Sequence, residues 1–199
     1  MKGEVKMNRV ESKEQAKKSL EGNWSKAVLF IIIIVVISAI VGVVSLVPVV
    51  GWVVATVVTS IMAFGQTLFF LNLSRNKEAE YSDLYKNAKS HWITMILTVI
   101  IMSVLIFLWT LCLVIPGIIA ALRYSMTFYI MNDHPELKPL EAITKSKEMM
   151  RGHKWDLFVL YLSFLGWAFL CIFTFGIGYL FLAPYMETTV ANFYQKISA

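Results

Sequence analysis

Residues 27–74 read AVLFIIIIVVISAIVGVVSLVPVVGWVVATVVTSIMAFGQTLFFLNLS, 48 positions without an Asp, Glu, Lys or Arg. A membrane-spanning helix needs about 20 consecutive apolar residues. This stretch is long enough for two such helices, and Pro48 and Gly51 fall near its middle, where a tight turn is wanted. The reading is a helical hairpin that crosses a bilayer and returns.

The same pattern recurs twice. From Trp92 to Asn132 one charge occurs, Arg123, and Pro116 and Gly117 stand near the centre. From Leu157 to Gln195 one charge occurs, Glu187, and Gly176 and Gly178 take the central place. The expected spans are 27–47, 51–73, 93–113, 117–131, 157–175 and 179–195. The fourth is short enough that its helix can begin before its proline.

Composition agrees. Of the 199 residues, 58% are hydrophobic and 16% charged, against about 25% charged in a soluble domain. Mean hydropathy is +0.67. That excludes a disordered chain and a nucleic-acid module. Cys112 and Cys171, both inside apolar runs, make no disulfide framework. The first apolar run is too long for a cleavable signal peptide and follows a charged segment of 26 residues.

Seventeen of the 18 basic residues lie in the N-terminal segment, the two long loops and the tail, and the three hairpin turns carry none. By the positive-inside rule both termini are cytoplasmic. The net charge of +5 is a topology signal, with attraction to anionic lipid at the cytoplasmic face. The expected organisation is one polytopic membrane domain over 1–199. Its parts are a cytoplasmic segment 1–26, a hairpin 27–74, a loop 75–91, a hairpin 92–132, a loop with a helix 133–156, and a hairpin with a short tail 157–199.

The hairpins read as copies of one unit. Trp24, Trp92 and Trp155 open them, each behind a short polar step; Pro48 and Pro116 follow their tryptophans by 24 residues and Gly178 by 23. Tryptophan suits the membrane–water interface, so the three mark the inner one. A two-span unit returns the chain to the side it left, so successive units point the same way. The expected fold is all-α: six transmembrane helices as three hairpins in a parallel, pseudo-threefold repeat. Short amphipathic helices should lie along the inner leaflet. One covers 12–21, with Ser12 and Gln15 as a capping box and Gly22 as its stop; the other follows Pro139 and stops at Gly152. Docking of a partner protein is the sharper reading of these two helices.

Gln66, Arg123 and Glu187 lie nine, ten and nine residues before Arg75, Asp133 and Lys196, in the three return spans. At 1.5 Å per residue that depth is about 13–15 Å, near mid-bilayer. A lone charge there costs about 2.5–3.5 kcal/mol. The expected arrangement pairs Arg123 with Glu187, with Gln66 bridging. Tyr124, Tyr185, Ser125, Thr127, Thr188 and Thr189 would satisfy the remaining groups. Such a layer is either an ion pair that fixes helix register or a polar site for an ion, proton or small solute.

No metalloprotease His-Glu-x-x-His, Gly-x-Ser-x-Gly elbow or phosphate loop occurs. Asp133-His134-Pro135-Glu136 reads as a polar helix exit and not as a metal site. No catalytic residue, metal or cofactor is expected.

The second half carries a specific set of strings: Val114-Ile115-Pro116-Gly117-Ile118-Ile119, Arg123-Tyr124-Ser125-Met126, Glu141-Ala142-Ile143, Ser146-Lys147-Glu148-Met149-Met150, Gly152-His153-Lys154, Gly176-Ile177-Gly178, and Pro184-Tyr185-Met186-Glu187-Thr188-Thr189. These resemble the bacterial membrane-protein family filed as domain of unknown function 975. The resemblance is close over about 110–199 and looser over the first hairpin. It implies a polytopic fold in a bacterial plasma membrane and carries no biochemical activity. The functional expectation is a non-enzymatic integral membrane protein for small-solute transport or envelope protection against a membrane-active agent. The alternative is a scaffold that recruits a partner through its cytoplasmic helices.

Overall fold

The computed structural model describes residues 9–47, 49–85, 88–174 and 176–198. Pro48, expected at the first turn, lies outside them, as do Lys2 and Lys6 of the basic N-terminal segment. Among the described residues every regular element is helical. They are α1 (Arg9–Leu20), α2 (Trp24–Val44), α3 (Val50–Ser74), one 3-10 turn (Tyr81–Leu84), α4 (Ala88–Cys112), α5 (Val114–Tyr124), α6 (Thr127–Asp133), α7 (Pro139–Met149), α8 (Lys154–Phe173) and α9 (Tyr179–Ser198).

Five helical segments are long and apolar enough to cross a membrane: Trp24–Val44, Val50–Ser74, His91–Leu111, Val114–Asp133 and Lys154–Phe173. The fourth joins α5 and α6 across a break at Ser125–Met126. The last helix, α9, is 20 residues long but carries Glu187 and Lys196 and is not among the five. Each outgoing helix starts at or just before its tryptophan: Trp24 opens α2, Trp92 follows a kink at His91 (φ −128°, ψ 20°), and Trp155 is second in α8.

Consecutive long helices pack together: α2 on α3, α4 on α5, α8 on α9. The turns differ in detail from the sequence expectation. Pro116 is the third residue of α5, and the chain reverses at Leu113, whose backbone is extended (φ −168°, ψ 148°). A first helical turn tolerates proline because its N–H has no intrahelical acceptor. Gly51 and Gly117 also lie inside their helices, at points of close approach. A Cβ on Gly51 would come within 2.2 Å of the Val44 carbonyl, and one on Gly117 within 2.3 Å of Thr110 Oγ1. Gly176 sits in the turn itself with φ +84°, a region that glycine enters without steric cost.

Burial is uneven along the hairpins. Apart from Gly51, the buried residues of α3 run from Ser60 onward, and those of α9 from Leu182 onward. The turn ends are bare: Leu46, Trp52, Leu111, Ile115, Phe173 and Ile177 are all more than 60% exposed. Water would not tolerate this much contiguous apolar surface; hydrocarbon does.

The main core joins α3, α4, α6, α8 and α9 through Phe64, Met95, Tyr129, Leu160, Phe164, Phe193 and Tyr194. A second core joins α1, α2, α3 and α9. In it Phe30 stacks on Phe69 with centroids 3.8 Å apart and meets Phe70 edge-on. The chain after α3 folds back along that helix. Asn72 Nδ2 donates to the buried Asp83 carboxylate at 3.1 Å, and Leu84 presses on Gly65, where a Cβ would meet its Cα at 2.3 Å.

The two amphipathic helices pack on the bundle instead of lying only on the leaflet. α1 rests on α9 and α3 and buries Ala16 and Leu20. It starts at Arg9, so Ser12 is buried in the helix and is not a cap; its expected stop holds, with Gly22 at φ +76°. α7 starts at Pro139 and packs on α4, α5 and α6, burying Ala142, Ile143 and Ser146.

Candidate functional site

Two helices from opposite ends of the chain set the site. α3 and α9 pack side by side, and Gln195 Nε2 donates to Ser74 Oγ across an offset of 121 residues. The same offset places Gln66 beside Glu187, near enough for its side chain to influence that carboxyl. These two residues, expected at matching positions from their distance to Arg75 and Lys196, therefore stand next to each other on adjacent helices.

Arg123 does not join them. Among the described residues no ion pair links Arg123 to Glu187, or to any other carboxylate. Arg123 is in the last turn of α5, where its carbonyl accepts a hydrogen bond from Ser146 Oγ of α7 at 2.8 Å. The α5–α6 segment offers Tyr129 to Glu187 instead, and α8 offers Tyr161; both phenols lie within electrostatic reach of the carboxyl. Glu187 is half-buried, enclosed by α3, α6 and α8 without being sealed.

The other members of the expected layer turn elsewhere. Tyr124 is buried with Ala120 and Ile143, against α4. Tyr185 meets Phe164 edge-on at 5.4 Å. The hydroxyls bond to their own helices: Ser125 to Leu122 O (2.9 Å), Thr127 to Tyr124 O (2.7 Å), Thr188 to Pro184 O (2.7 Å) and Thr189 to Tyr185 O (2.6 Å). A hydroxyl back-bonded this way is satisfied locally and has little left to offer a neighbour.

The shortest ion pair among the described residues lies at the helix ends that the sequence reading used only as depth markers. Arg75, just past α3, holds Asp133 at the end of α6 through two hydrogen bonds of 2.6 and 2.7 Å. Tyr194 of α9 donates to the same carboxylate at 2.8 Å. Lys196 pairs with Glu11 of α1 at 3.0 Å. Asp133 is thus committed to Arg75, and His134 lies 3.4 Å from Glu136. The signal for this clasp was in the sequence, as opposite charges at the ends of two return spans, but two loops separate the partners.

Trp24, Trp92 and Trp155 are 36%, 49% and 69% exposed at the starts of the outgoing helices. An all-helical chain with five apolar helices of spanning length, bare at their turns and packed at their other ends, is a multi-pass membrane protein. It matches the family model described as Protein of unknown function (DUF975) over residues 7–116 and 104–199, and it belongs to that family. No curated protein and no solved structure matches it.

Proposed function

We propose that this is a non-enzymatic, six-span protein of the bacterial plasma membrane, with both termini cytoplasmic, that moves a small solute or ion by way of Glu187. The sixth span is α9. Its polarity fits a helix packed against α1, α2, α3 and α8, since a span enclosed by protein need not be apolar. A parallel repeat of three hairpins is supported by their tips. Gly51, Gly117 and Gly178, at or just before the starts of the return helices, approach Val44, Thr110 and Cys171, in each case the residue seven positions earlier. The exposed tryptophans at the outgoing starts suit an inner interface.

One observation carries the functional reading: Glu187 is held among Gln66, Tyr129 and Tyr161 with, among the described residues, no cation paired to it. A register-fixing role would call for the Arg123 pair, and the Arg75–Asp133 clasp already supplies a register lock. An intramembrane carboxyl kept without a cationic partner is the usual mark of a proton, ion or solute pathway. Export of a membrane-active agent, and so envelope protection, is one use of such a pathway. The scaffold alternative loses ground because α1 and α7 spend their apolar faces on the bundle.

The test is Glu187→Gln, which keeps shape and hydrogen bonding but cannot exchange a proton. In proteoliposomes with an entrapped pH dye and an imposed potential, the wild-type protein should pass protons or alkali cations. The variant should melt like the wild type and pass none. Equal fluxes from the two proteins would refute the reading.

A further inference from the structure

A second feature lies away from Glu187. Between α1, the start of α2, and the α8–α9 pair, a groove of about 430 Å³ opens, within the size range of single-ligand sites. Its two ends differ in chemistry. Lys13 and Lys17 line one; Trp24, Trp167, Leu170 and Phe181 line much of the rest. The last three are 60%, 55% and 56% exposed and stand where lipid chains surround the protein.

The lysines are one helical turn apart on α1, and aromatic rings hold both toward the groove. Lys13 Nζ lies 4.4 Å from the centroid of Phe164, and Lys17 Nζ lies 6.0 Å from that of Tyr185. Among the described residues neither has a carboxylate partner. Glu11 is engaged by Lys196, and Glu14 and Glu21 pair with neither lysine. Burial, and then the charge of Lys17, pull the Lys13 ammonium below its ordinary value. Two adjacent cations beside apolar walls are short of an anion, and an anion bound between them relieves both the repulsion and the desolvation.

We propose that this groove is a binding site for an anionic phospholipid, its headgroup phosphate on Lys13 and Lys17 and an acyl chain against Trp167, Leu170 and Phe181. The apolar wall selects a lipid over a soluble anion. The paired lysines select an anionic lipid over a zwitterionic one, because they repel the ammonium of a choline or ethanolamine headgroup. The site is distinct from the diffuse attraction that the net charge exerts on the inner leaflet, and it does not depend on the Glu187 reading.

Native mass spectrometry of the detergent-purified protein, titrated with phosphatidylglycerol or phosphatidylcholine of equal chain length, tests it. One phosphatidylglycerol should bind well ahead of phosphatidylcholine. Lys13→Gln/Lys17→Gln should weaken it about 25-fold, a factor of about five per lysine. Lys145→Gln, on the exposed face of α7, should leave it unchanged. The exposed single variant Lys17→Gln, with little packing to lose, should show a fivefold loss if the double variant does not fold. Equal binding of the two lipids, or no loss in the lysine variants, would overturn the proposal. So would displacement of the lipid by millimolar inorganic phosphate, which would make this a site for the free anion.

Discussion

Replacing Asp133 by Ala removes the acceptor of three hydrogen bonds at once, two from Arg75 and one from Tyr194. The Arg75 and Asp133 side chains are 27% and 23% exposed, so the pair lies between two known regimes. Exposed ion pairs contribute about 0.2–1 kcal/mol. Truncating one member of a buried pair costs about 3–5 kcal/mol, because the other is left uncompensated. A bidentate, charge-assisted geometry reinforced by a phenol belongs nearer the second, and the expected loss is about 2–3 kcal/mol. Reversible unfolding in mixed micelles of graded denaturing detergent measures it. The double-mutant cycle of Arg75→Ala with Asp133→Ala isolates the pair, with an expected coupling of about 1–2 kcal/mol. Arg75→Lys should also lose stability, since an ammonium cannot reproduce the forked contact. A coupling below about 0.5 kcal/mol, within the error of additivity for independent sites, would mean that the clasp does not tie α3 to α6.

Further outcomes follow from particular contacts. Gly65→Ala should destabilise the protein by about 2 kcal/mol or more in the same assay, because its Cβ would meet Leu84 backbone at 2.3 Å. Gly42→Ala, with nothing within 4 Å, should be neutral or mildly stabilising by helix propensity. Phe30→Ala, at a fully buried ring stacked on Phe69, should cost about 3–5 kcal/mol. In a background lacking Cys112 and Cys171, an impermeant thiol reagent applied to whole cells should label Val49→Cys and spare Lys77→Cys. Labelling of position 77 would refute the proposed orientation.

Much of the architecture was legible because hydrocarbon is an unforgiving solvent. Three runs of at least 39 residues with no more than one charge each have few soluble explanations, and the helices begin where Trp24, Trp92 and Trp155 announce them. The turn positions were less legible. Pro116 and Gly51 mark turns only approximately, since a proline fits a first helical turn and a glycine also serves helix contact. The packing of α1 and α7 on the bundle was hidden for a related reason. An amphipathic pattern states that one face is apolar, not whether lipid or the protein covers it, and Ala16, Leu20, Ala142 and Ile143 are covered by protein.

The polar layer separates what residue counting can reach from what it cannot. Depth along uninterrupted α3 and α9 was countable, and Gln66 does meet Glu187. The α5–α6 segment breaks at Ser125–Met126, and α7 packs against that break through Ser146 and Ile143. Ten residues before Asp133 therefore says little about which way Arg123 faces, and Tyr129 takes the place foreseen for it. The consequence for the proposed pathway is a separation of roles. Register is a task for groups that neutralise each other, and Arg75, Asp133 and Tyr194 do so at the helix ends, where partial hydration lowers the cost of charge. A carboxyl that must accept and release a proton or an ion cannot be held by a permanent cation, because the pair would fix its charge state. Glu187 has an amide and two phenols for company, groups that can satisfy either form of the acid without dictating which one persists. Installing a cation there is the sharpest test of that separation. Gln66→Lys should give Glu187 a cationic partner in place of the expected Arg123, leave the fold intact, and abolish any flux that depends on Glu187. A variant with undiminished flux would show that the carboxyl does not need to change its state, and the proposed pathway would fail.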